Sequence, residues 1–253
     1  MNKLGFALAS LVLVSAVGCA ESTDALDTQD MQDSVDLQQE AQSAVTSCAL
    51  TLVNLGTAAP FAVLAGSGVA NTGLTTVTGD LGVSPGSSVT GFGPGTVVGT
   101  QHVANPTAAQ AQVALTTAYN DAAGRTLCPV SVAGNLGGLT LAPGLYKSTS
   151  GLEISSGNLT LDAKGNTKAV FIFQMATTLS TTAGRQVILK NGAKASNVFW
   201  QVGSSATFGT TTIFKGNVMA NQAITLNNGA KLDGRALARV AAVAMDTDAV
   251  TRP

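Results

Sequence analysis

Short runs of apolar and β-branched residues, interrupted by glycine, proline and asparagine, follow one another through most of the chain. Segments 61–65, 75–78 and 96–98 show this pattern in the first hundred residues, and it resumes over 139–240. Such runs are typical of strands, and the turn residues between them keep each strand short. The pattern therefore predicts a mainly β protein with many short strands.

One segment differs from its surroundings. Residues 107–124 (TAAQAQVALTTAYNDAAG) follow Pro106, are rich in alanine and end at Gly124. Ala109, Val113, either Leu115 or Thr116, and Tyr119 recur at helical spacing. The segment therefore predicts one long helix, over about 107–124, in an otherwise β protein.

Four later segments share a strand followed by a polar turn. They are LEISSGNLTL (152–161), LSTTAGRQVIL (179–189), ATFGTTTIF (206–214) and ITLNNGAKL (224–232), and their starts lie 27, 27 and 18 residues apart. Repeats of this length indicate stacked coils that bury a continuous core. Alternation along each strand places one set inside: Leu152, Ile154, Leu179, Thr181, Ala206, Phe208, Ile224 and Leu226. It places Glu153, Ser180, Thr207 and Thr225 outside.

The N-terminus has the features of an export signal. Residues 1–18 contain Lys3, an apolar run and then small residues, as secretory signal peptides do. The run is short for a membrane span, and it ends in a sequence, Ala16 to Cys19, that resembles a bacterial lipobox. That resemblance implies an acylated Cys19 and attachment to the cell envelope, at the outer membrane or cell surface. Ordinary cleavage nearby, with secretion of the protein, is the alternative.

Residues 19–49 are expected to form an acidic, flexible spacer before a domain over 50–253. Seven of the 14 acidic residues lie between Glu21 and Glu40, with no lysine or arginine among them. Such a stretch cannot bury enough apolar surface to fold alone, although a loose helix around 31–44 is an alternative.

Charge and cysteine content restrict the function. The net charge of −1 argues against nucleic-acid binding, and residues 50–253 carry 7 acidic and 12 basic residues, a weak positive excess. Cys48 and Cys128 remain after Cys19, and an oxidising compartment favours a disulfide between them, with two buried free thiols as the alternative. No cofactor is expected, and no His/Cys/Asp cluster has the spacing of a metal site.

Several segments, in this order, resemble the microbial ice-binding protein family. They are LGTAAPFAVLAGSGVANTG (55–73), TGDLGVSPG (78–86), the helix ending in AYNDAAG, LAPGLYKSTSGLEISSGNLTLDAKGN (141–166), NVFWQVGSSATFG (197–209), FKGNVMA (214–220) and LDGRALA (232–238). The resemblance covers residues 50 to about 250. It implies a right-handed, discontinuous β-solenoid of triangular section with one long helix packed alongside. It also implies a monomer that binds ice, inhibiting ice growth or recrystallisation or holding a cell to ice.

A flat solenoid face presents a grid of side chains, with strands ~4.7–4.9 Å apart and same-face residues ~6.5–7 Å apart along a strand. Threonine suits such a grid because its χ1 angle is stiff. The residues expected to contact ice are Ser155, Ser156, Ser180, Thr181, Thr182, Thr207, Thr210, Thr211, Thr212, Thr225, Asn227 and Asn228. Thr75, Thr76 and Thr78 are candidates to extend the row. Taken singly, each threonine is also explained by its preference for strands.

Two other function classes fit the sequence less well. An enzyme on this scaffold needs a carboxylate pair or cluster, but Asp80, Asp162 and Asp233 are isolated, and the single histidine, His102, is expected in a loop. No catalytic residue is therefore assigned. A surface adhesin or carbohydrate-binding solenoid needs exposed aromatic rings, and Trp200 and its aromatic neighbours lie in apolar strands that favour a core role.

Overall fold

The computed structural model describes residues 48–253. Signal segment 1–18, Cys19 and most of spacer 19–49 lie outside these residues. The first strands are β1 (Phe61–Ala65), β2 (Gly68–Thr72), β3 (Thr76–Thr78), β4 (Asp80–Val83), β5 (Ser88–Thr90), β6 (Thr96–Val98) and β7 (Gln101–Val103), followed by helix α1 (Pro106–Gly124).

The later strands are β8 (Val130–Ser131), β9 (Gly134–Asn135), β10 (Thr140–Leu141), β11 (Gly144–Ser148), β12 (Leu152–Ile154), β13 (Leu159–Asp162), β14 (Phe171–Met175), β15 (Leu179–Thr181), β16 (Val187–Lys190), β17 (Val198–Val202), β18 (Ala206–Phe208), β19 (Ile213–Ala220), β20 (Ile224–Leu226), β21 (Lys231–Ala238), β22 (Val243–Asp246) and β23 (Ala249–Thr251). Short 3₁₀ turns occupy Gly56–Ala58 and Ala195–Asn197.

Parallel pairing stacks these strands into a solenoid with three faces. Face A, beneath the helix, runs in space β7-β4-β1-β21-β19-β17-β14-β11-β8, and face B runs β5-β2-β22-β20-β18-β15-β12-β9. Face C contains β6-β3-β23-β21-β19 and then β16-β13-β10. Strands β19 and β21 serve two faces, with their first halves on face C and their second halves on face A. The predicted mainly β solenoid with one helix is confirmed.

The stack is discontinuous, as the family resemblance implied. Strands β8 to β23 climb in chain order, but β1, β2 and β3 then pair with the last strands of the chain, β21, β22 and β23. This junction between the first and last parts of the domain is called the seam below. It joins residues far apart in sequence, such as Val63 and Ala236.

Two glycines allow the bend in the long strands. Gly216 and Gly234 lie side by side at the middle of β19 and β21, and Gly216 has a φ of +112°. A side chain on Gly234 would collide with the carbonyl oxygen of Gly216. The absence of Cβ atoms here therefore lets both strands turn from face C onto face A.

The repeat predicted from the sequence sets the core. Leu152, Leu179, Ala206 and Ile224 pair in register through β12, β15, β18 and β20, and all four are buried. Inside face A, Tyr146, Phe173 and Trp200 also occupy one register and stack with ring centroids 5.1 and 4.0 Å apart. The predicted core role of Trp200 is confirmed.

The helix packs on face A through small side chains. Asn105 caps its N-terminus by accepting a hydrogen bond from the N–H of Ala108, and Pro106 begins it one residue before the predicted start. Leu115 and Tyr119 are buried on the solenoid side with four alanines, among Ile172, Phe199, Met219 and Leu237. The predicted periodic face was partly wrong, since Ala109 is exposed and Val113 is 69% exposed, although Leu115 and Tyr119 are buried.

The predicted disulfide is present between Cys48 and Cys128. It fixes the first described residue of the chain near the C-terminal end of α1. Arg125 supports the same contact by donating hydrogen bonds to the carbonyl oxygens of Thr51 and Leu52 while pairing with Asp121. The segment between Cys48 and β1 is thus held along the helix, with Val53 and Leu55 in the apolar layer beneath α1.

Candidate functional site

Face B carries one continuous outward row of mostly small side chains, called the central row below. Strand register places them from the β9 end to the β5 end: Asn135, Glu153, Ser180, Thr207, Thr225, Ala244, Ala70 and Thr90. The predicted outward positions Glu153, Ser180, Thr207 and Thr225 are confirmed, because each is exposed or half-buried between buried neighbours. Thr207 and Thr225 lie directly opposite each other on adjacent strands.

Other predicted residues lie beside the central row, on the side of face B that adjoins face C. Ser155, Thr182 and Asn227 follow the ends of their face B strands, and the Thr182 hydroxyl donates to the carbonyl oxygen of Ser155 at 2.9 Å. Ser156, Thr210, Thr211 and Asn228 lie in the turns between faces B and C and are exposed. The structure thus brings ten of the twelve predicted residues to face B and its edge.

Thr181 and Thr212 are corrections. Thr181 is 8% exposed and Thr212 is fully buried, and their hydroxyl oxygens hydrogen bond to each other at 2.8 Å. The Thr181 hydroxyl also accepts the N–H of Gly209 at 2.9 Å. Both side chains therefore point into the solenoid and brace the turn from within, so neither can touch a surface outside.

The early threonines are also placed differently from the prediction. Thr76 and Thr78 project from β3 on face C, and Thr75 is buried, where its hydroxyl accepts the N–H of Asp248. They do not join the row on face B. Ala70 and Thr90 take those positions, because β2 and β5, not β3, continue face B across the seam.

Charge separates the two outer faces. Among the described strands of face B, only Glu153 and Asp246 are charged. Face C carries several charged side chains in its strands, including Lys190, Lys231 and the pair of Lys215 with Asp233 at 2.9 Å. Asp80 and Asp233 each adjoin a glycine, a pattern that predicts turns, but they lie in strands β4 and β21. Face B is therefore the sparsely charged surface.

The carboxylates do not converge on a catalytic arrangement. His102 lies in β7, not in a loop as expected, with its Nε2 atom 3.6 Å from Oδ2 of Asp80. Asp80 also accepts the N–H of Thr100, so this pair joins two neighbouring strands of face A. Asp162 closes its own turn by accepting the N–H of Lys164, and this bond holds its pKa below the usual range.

No group of His, Cys, Asp and Glu within residues 48–253 is arranged to hold a metal ion. Over the same residues, no helix combines the length and the hydropathy of a membrane span. Every aromatic ring of this part of the chain is buried except Phe92, which is half-buried, and His102. An exposed aromatic platform for sugar rings is therefore not formed by the described residues.

Comparison with known proteins agrees with this geometry. Residues 63–251 match the family described as ice-binding-like. An ice-binding protein of Nostoc sp. (strain HG1) is 47% identical over 215 residues, which cover 85% of this chain and 77% of that protein. One of Flavobacterium frigoris (strain PS1) is 35% identical over 223 residues, covering 81% and 78%.

Solved structures are similar in fold as well as sequence. The crystal structure of an ice-binding protein from an Antarctic biological consortium matches with a TM-score of 0.80 and 56% identity, over 80% of this chain and 92% of that one. The ice-binding protein of the ascomycete Antarctomyces psychrotrophicus matches with a TM-score of 0.75 and 43% identity, over 80% and 98%. This chain therefore belongs to the ice-binding-like protein family.

Proposed function

We propose that this protein adsorbs to ice through face B. The observation that carries the proposal is the central row, in which Ser180, Thr207 and Thr225 share one register on three adjacent strands. Their neighbours along the row toward the seam are the small residues Ala244 and Ala70. A surface this regular and this poor in charge suits a crystal more than a single small molecule.

Threonine side chains can organise water on such a surface. A stiff χ1 angle holds each hydroxyl and methyl group in place, and the strand spacing of ~4.7–4.9 Å repeats that pair from coil to coil. The hydroxyl anchors a water molecule while the methyl restrains its neighbours. Ordered water of this kind can merge with the lattice of ice.

Rigidity lowers the cost of binding. The inward residues beneath the row, such as Leu179, Phe208 and Leu226, are fully packed, and Phe208 contacts Phe214 with ring centroids 4.5 Å apart. A surface that is already ordered loses little conformational entropy when it meets ice. Charged groups would keep their own hydration shells, so their scarcity between Ser180 and Thr90 in the central row supports the same conclusion.

Substitution in the central row tests the proposal. In Thr207→Tyr and Thr225→Tyr, a bulky ring would stand above the plane and separate the surface from ice. We expect each variant of residues 48–253 to lose thermal hysteresis and ice-crystal shaping while keeping its melting temperature. Thr76→Tyr is the matched control, because Thr76, like Thr207, is exposed at the surface of a strand but lies on face C.

The outcomes separate the alternatives. Equal thermal hysteresis in both face B variants, with a loss in Thr76→Tyr, would move the site to face C. A folded wild-type domain that leaves crystals round and freely growing would refute ice binding. A glycan screen would then test the carbohydrate-binding alternative.

We further propose that the domain is a monomer held at the bacterial cell envelope by a lipid on Cys19, where it inhibits ice growth or recrystallisation or keeps the cell at an ice surface. The lipobox-like sequence before Cys19 and the acidic spacer support this location. In cells, Cys19→Ala should release the protein from the membrane fraction. Retention of that variant on membranes would contradict lipid anchoring.

A further inference from the structure

The turns between faces B and C stack into a second row, here called the corner row. Its members, from coil to coil, are Gly184, Thr211, Gly229, Thr247 and Gly73. The backbone N–H of Thr211 donates to the backbone carbonyl of Asn228. In the same way, Gly229 donates to the backbone carbonyl of Asp246, and Thr247 donates to that of Thr72. Neighbouring turns of the corner row are therefore joined by a backbone hydrogen bond from coil to coil, as neighbouring strands are in a sheet.

All five members have a left-handed backbone, but only three are glycine. The φ angles are +69° at Gly184, +75° at Gly229 and +73° at Gly73, and they are +55° at Thr211 and +57° at Thr247. A β-branched residue in this region is a genuine outlier, because its side chain crowds the backbone. The fold uses glycine in three coils and tolerates strained threonines in two.

Buried polar groups hold the strained backbone in place. Thr212, next to Thr211, hydrogen bonds to Thr181 inside the solenoid. Asp248, next to Thr247, accepts the N–H groups of Asp246 and Ala230, both at 2.7 Å. Strained residues persist where surrounding structure fixes them in this way, and they concentrate at functional sites.

One glycine of the corner row also leaves room for a threonine side chain. A Cβ atom on Gly73 would clash with the hydroxyl of Thr247, whereas one on Gly229 would make an ordinary contact, 3.6 Å, with the methyl of Thr211. Both threonines are exposed. They stand two coils apart, which corresponds to about 9–10 Å at the spacing of β-strands.

The hydroxyl groups are oriented by donation to the protein. Thr211 Oγ1 donates to the carbonyl of Thr210 at 2.7 Å, and Thr247 Oγ1 donates to Oδ1 of Asp246 at 3.1 Å. Each hydroxyl oxygen therefore keeps acceptor lone pairs for water. The methyl groups are fixed at the same time, so each threonine presents the hydroxyl and methyl pair used in the central row.

We propose that Thr211 and Thr247 form a second line of ice contact along the edge of face B. This inference rests on the proposed ice binding by that face. It adds Thr247, which the repeat in the sequence did not indicate, and it gives the strained backbone of both residues a function. The ice-contact surface is then a plane together with one of its edges.

Replacement by glycine tests the inference, because stability and activity should move in different directions. In Thr211→Gly with Thr247→Gly, the backbone strain is relieved, so the melting temperature should stay equal or rise. Thermal hysteresis at equal protein concentration should fall measurably. Lys164→Gly is the matched control, since Lys164 has a φ of +53° in a turn between faces C and A; it should leave hysteresis unchanged.

Full hysteresis in the double glycine variant would overturn the inference. If hysteresis and melting temperature fell together, the pair Thr211→Asn and Thr247→Asn would decide, because asparagine tolerates this backbone. Wild-type hysteresis in the asparagine variant would overturn the inference, and reduced hysteresis with a wild-type melting temperature would support it. If Thr207→Tyr loses thermal hysteresis while the double glycine and double asparagine variants keep it in full, ice contact by the corner row is rejected and ice binding by face B stands. If the wild-type domain has no thermal hysteresis, the proposed ice binding itself is rejected.

Discussion

Threonine occupies four kinds of position in this domain, and the position of each residue determines what its side chain can contact. Thr207 lies outside on face B, Thr212 lies inside, Thr76 lies on face C and Thr211 lies at a corner. Alternation along a strand predicted the first of these correctly because a strand has a strict period of two. Thr212 lies beyond the end of β18, where alternation was not applied, and it was assigned to the ice-contact residues because it belongs to the run of threonines over 210–212.

Thr181 shows a different error. Alternation from Leu179 already placed it inside, and the structure confirms that position. Its inclusion among the ice-contact residues came from its residue type. Within an element, side-chain direction is therefore a better guide to contact than composition.

Asp248 is the most perturbed acid in the described residues. It is 3% exposed, and burial, with a smaller contribution from Asp246, raises its pKa to about 7. The native state then binds a proton more tightly than the unfolded chain, whose reference pKa is 3.8. Because the folded pKa is the higher one, this residue contributes stability at low pH that is lost as pH rises toward 7.

Asp248→Asn should therefore change how stability depends on pH. We expect the melting temperature of the wild type to fall relative to that of the variant between about pH 4 and pH 7. The variant should also be less stable at pH 5, because its amide group must face one of two backbone N–H donors. Thermal denaturation across this pH range checks both points, and parallel curves for the two proteins would contradict the first.

At the scale of elements, the helix was easy to place and hard to orient. Proline, alanine content and Gly124 predicted its bounds to within one residue. Its buried side was not predicted well, because most of that side is alanine, which differs little in hydropathy from the exposed alanines. Close packing on Phe199 and Ile172, not an apolar stripe, selects Ala111 and Ala118.

The C-terminal end of the helix depends on a strand of the solenoid. Gln174 in β14 donates from Nε2 to the carbonyl oxygens of Ala122, Ala123 and Arg125. These carbonyls lack helical partners. The cap could not be foreseen from the sequence, since Gln174 and the helix are joined only by packing.

Removal of the disulfide tests how much the covalent link between Cys48 and Cys128 contributes to the stability of the fold. Its cysteines are separated by 80 residues, and a loop of that length is expected to stabilise the fold by roughly 4 kcal/mol through the unfolded state. Cys48→Ser with Cys128→Ser should lower the free energy of unfolding by about that amount. Chemical denaturation measures it, and a change under about 1 kcal/mol would indicate that Arg125 suffices.

Thermal hysteresis below the melting temperature of the double serine variant should be unchanged. Neither cysteine lies on face B, and Val53 and Leu55, in the segment after Cys48, pack in the apolar layer beneath the helix. A selective loss of hysteresis in this variant would mean that the helix end influences face B.

At the scale of the molecule, the sequence repeat predicted the stacking of four coils, with correct register from Leu152 to Ile224. Local periodicity could not place β1, β2 and β3 against the rest of the solenoid, because their partners β21, β22 and β23 lie more than 170 residues away. Only the family resemblance indicated that the stack is discontinuous. The composition of face B across the seam, with Ala70 and Thr90, was therefore missed.

The seam makes the order of synthesis differ from the order of the coils. Strands β1 to β6 leave the ribosome first, yet the coil on which they rest, ending at β23, leaves last. Pairing over such separations is slow, since the chain must close a long loop before it gains the contacts. Until then, face B exists as two unconnected patches. The plane that we propose to contact ice is thus a property of the finished domain, and no fragment from either end contains it whole.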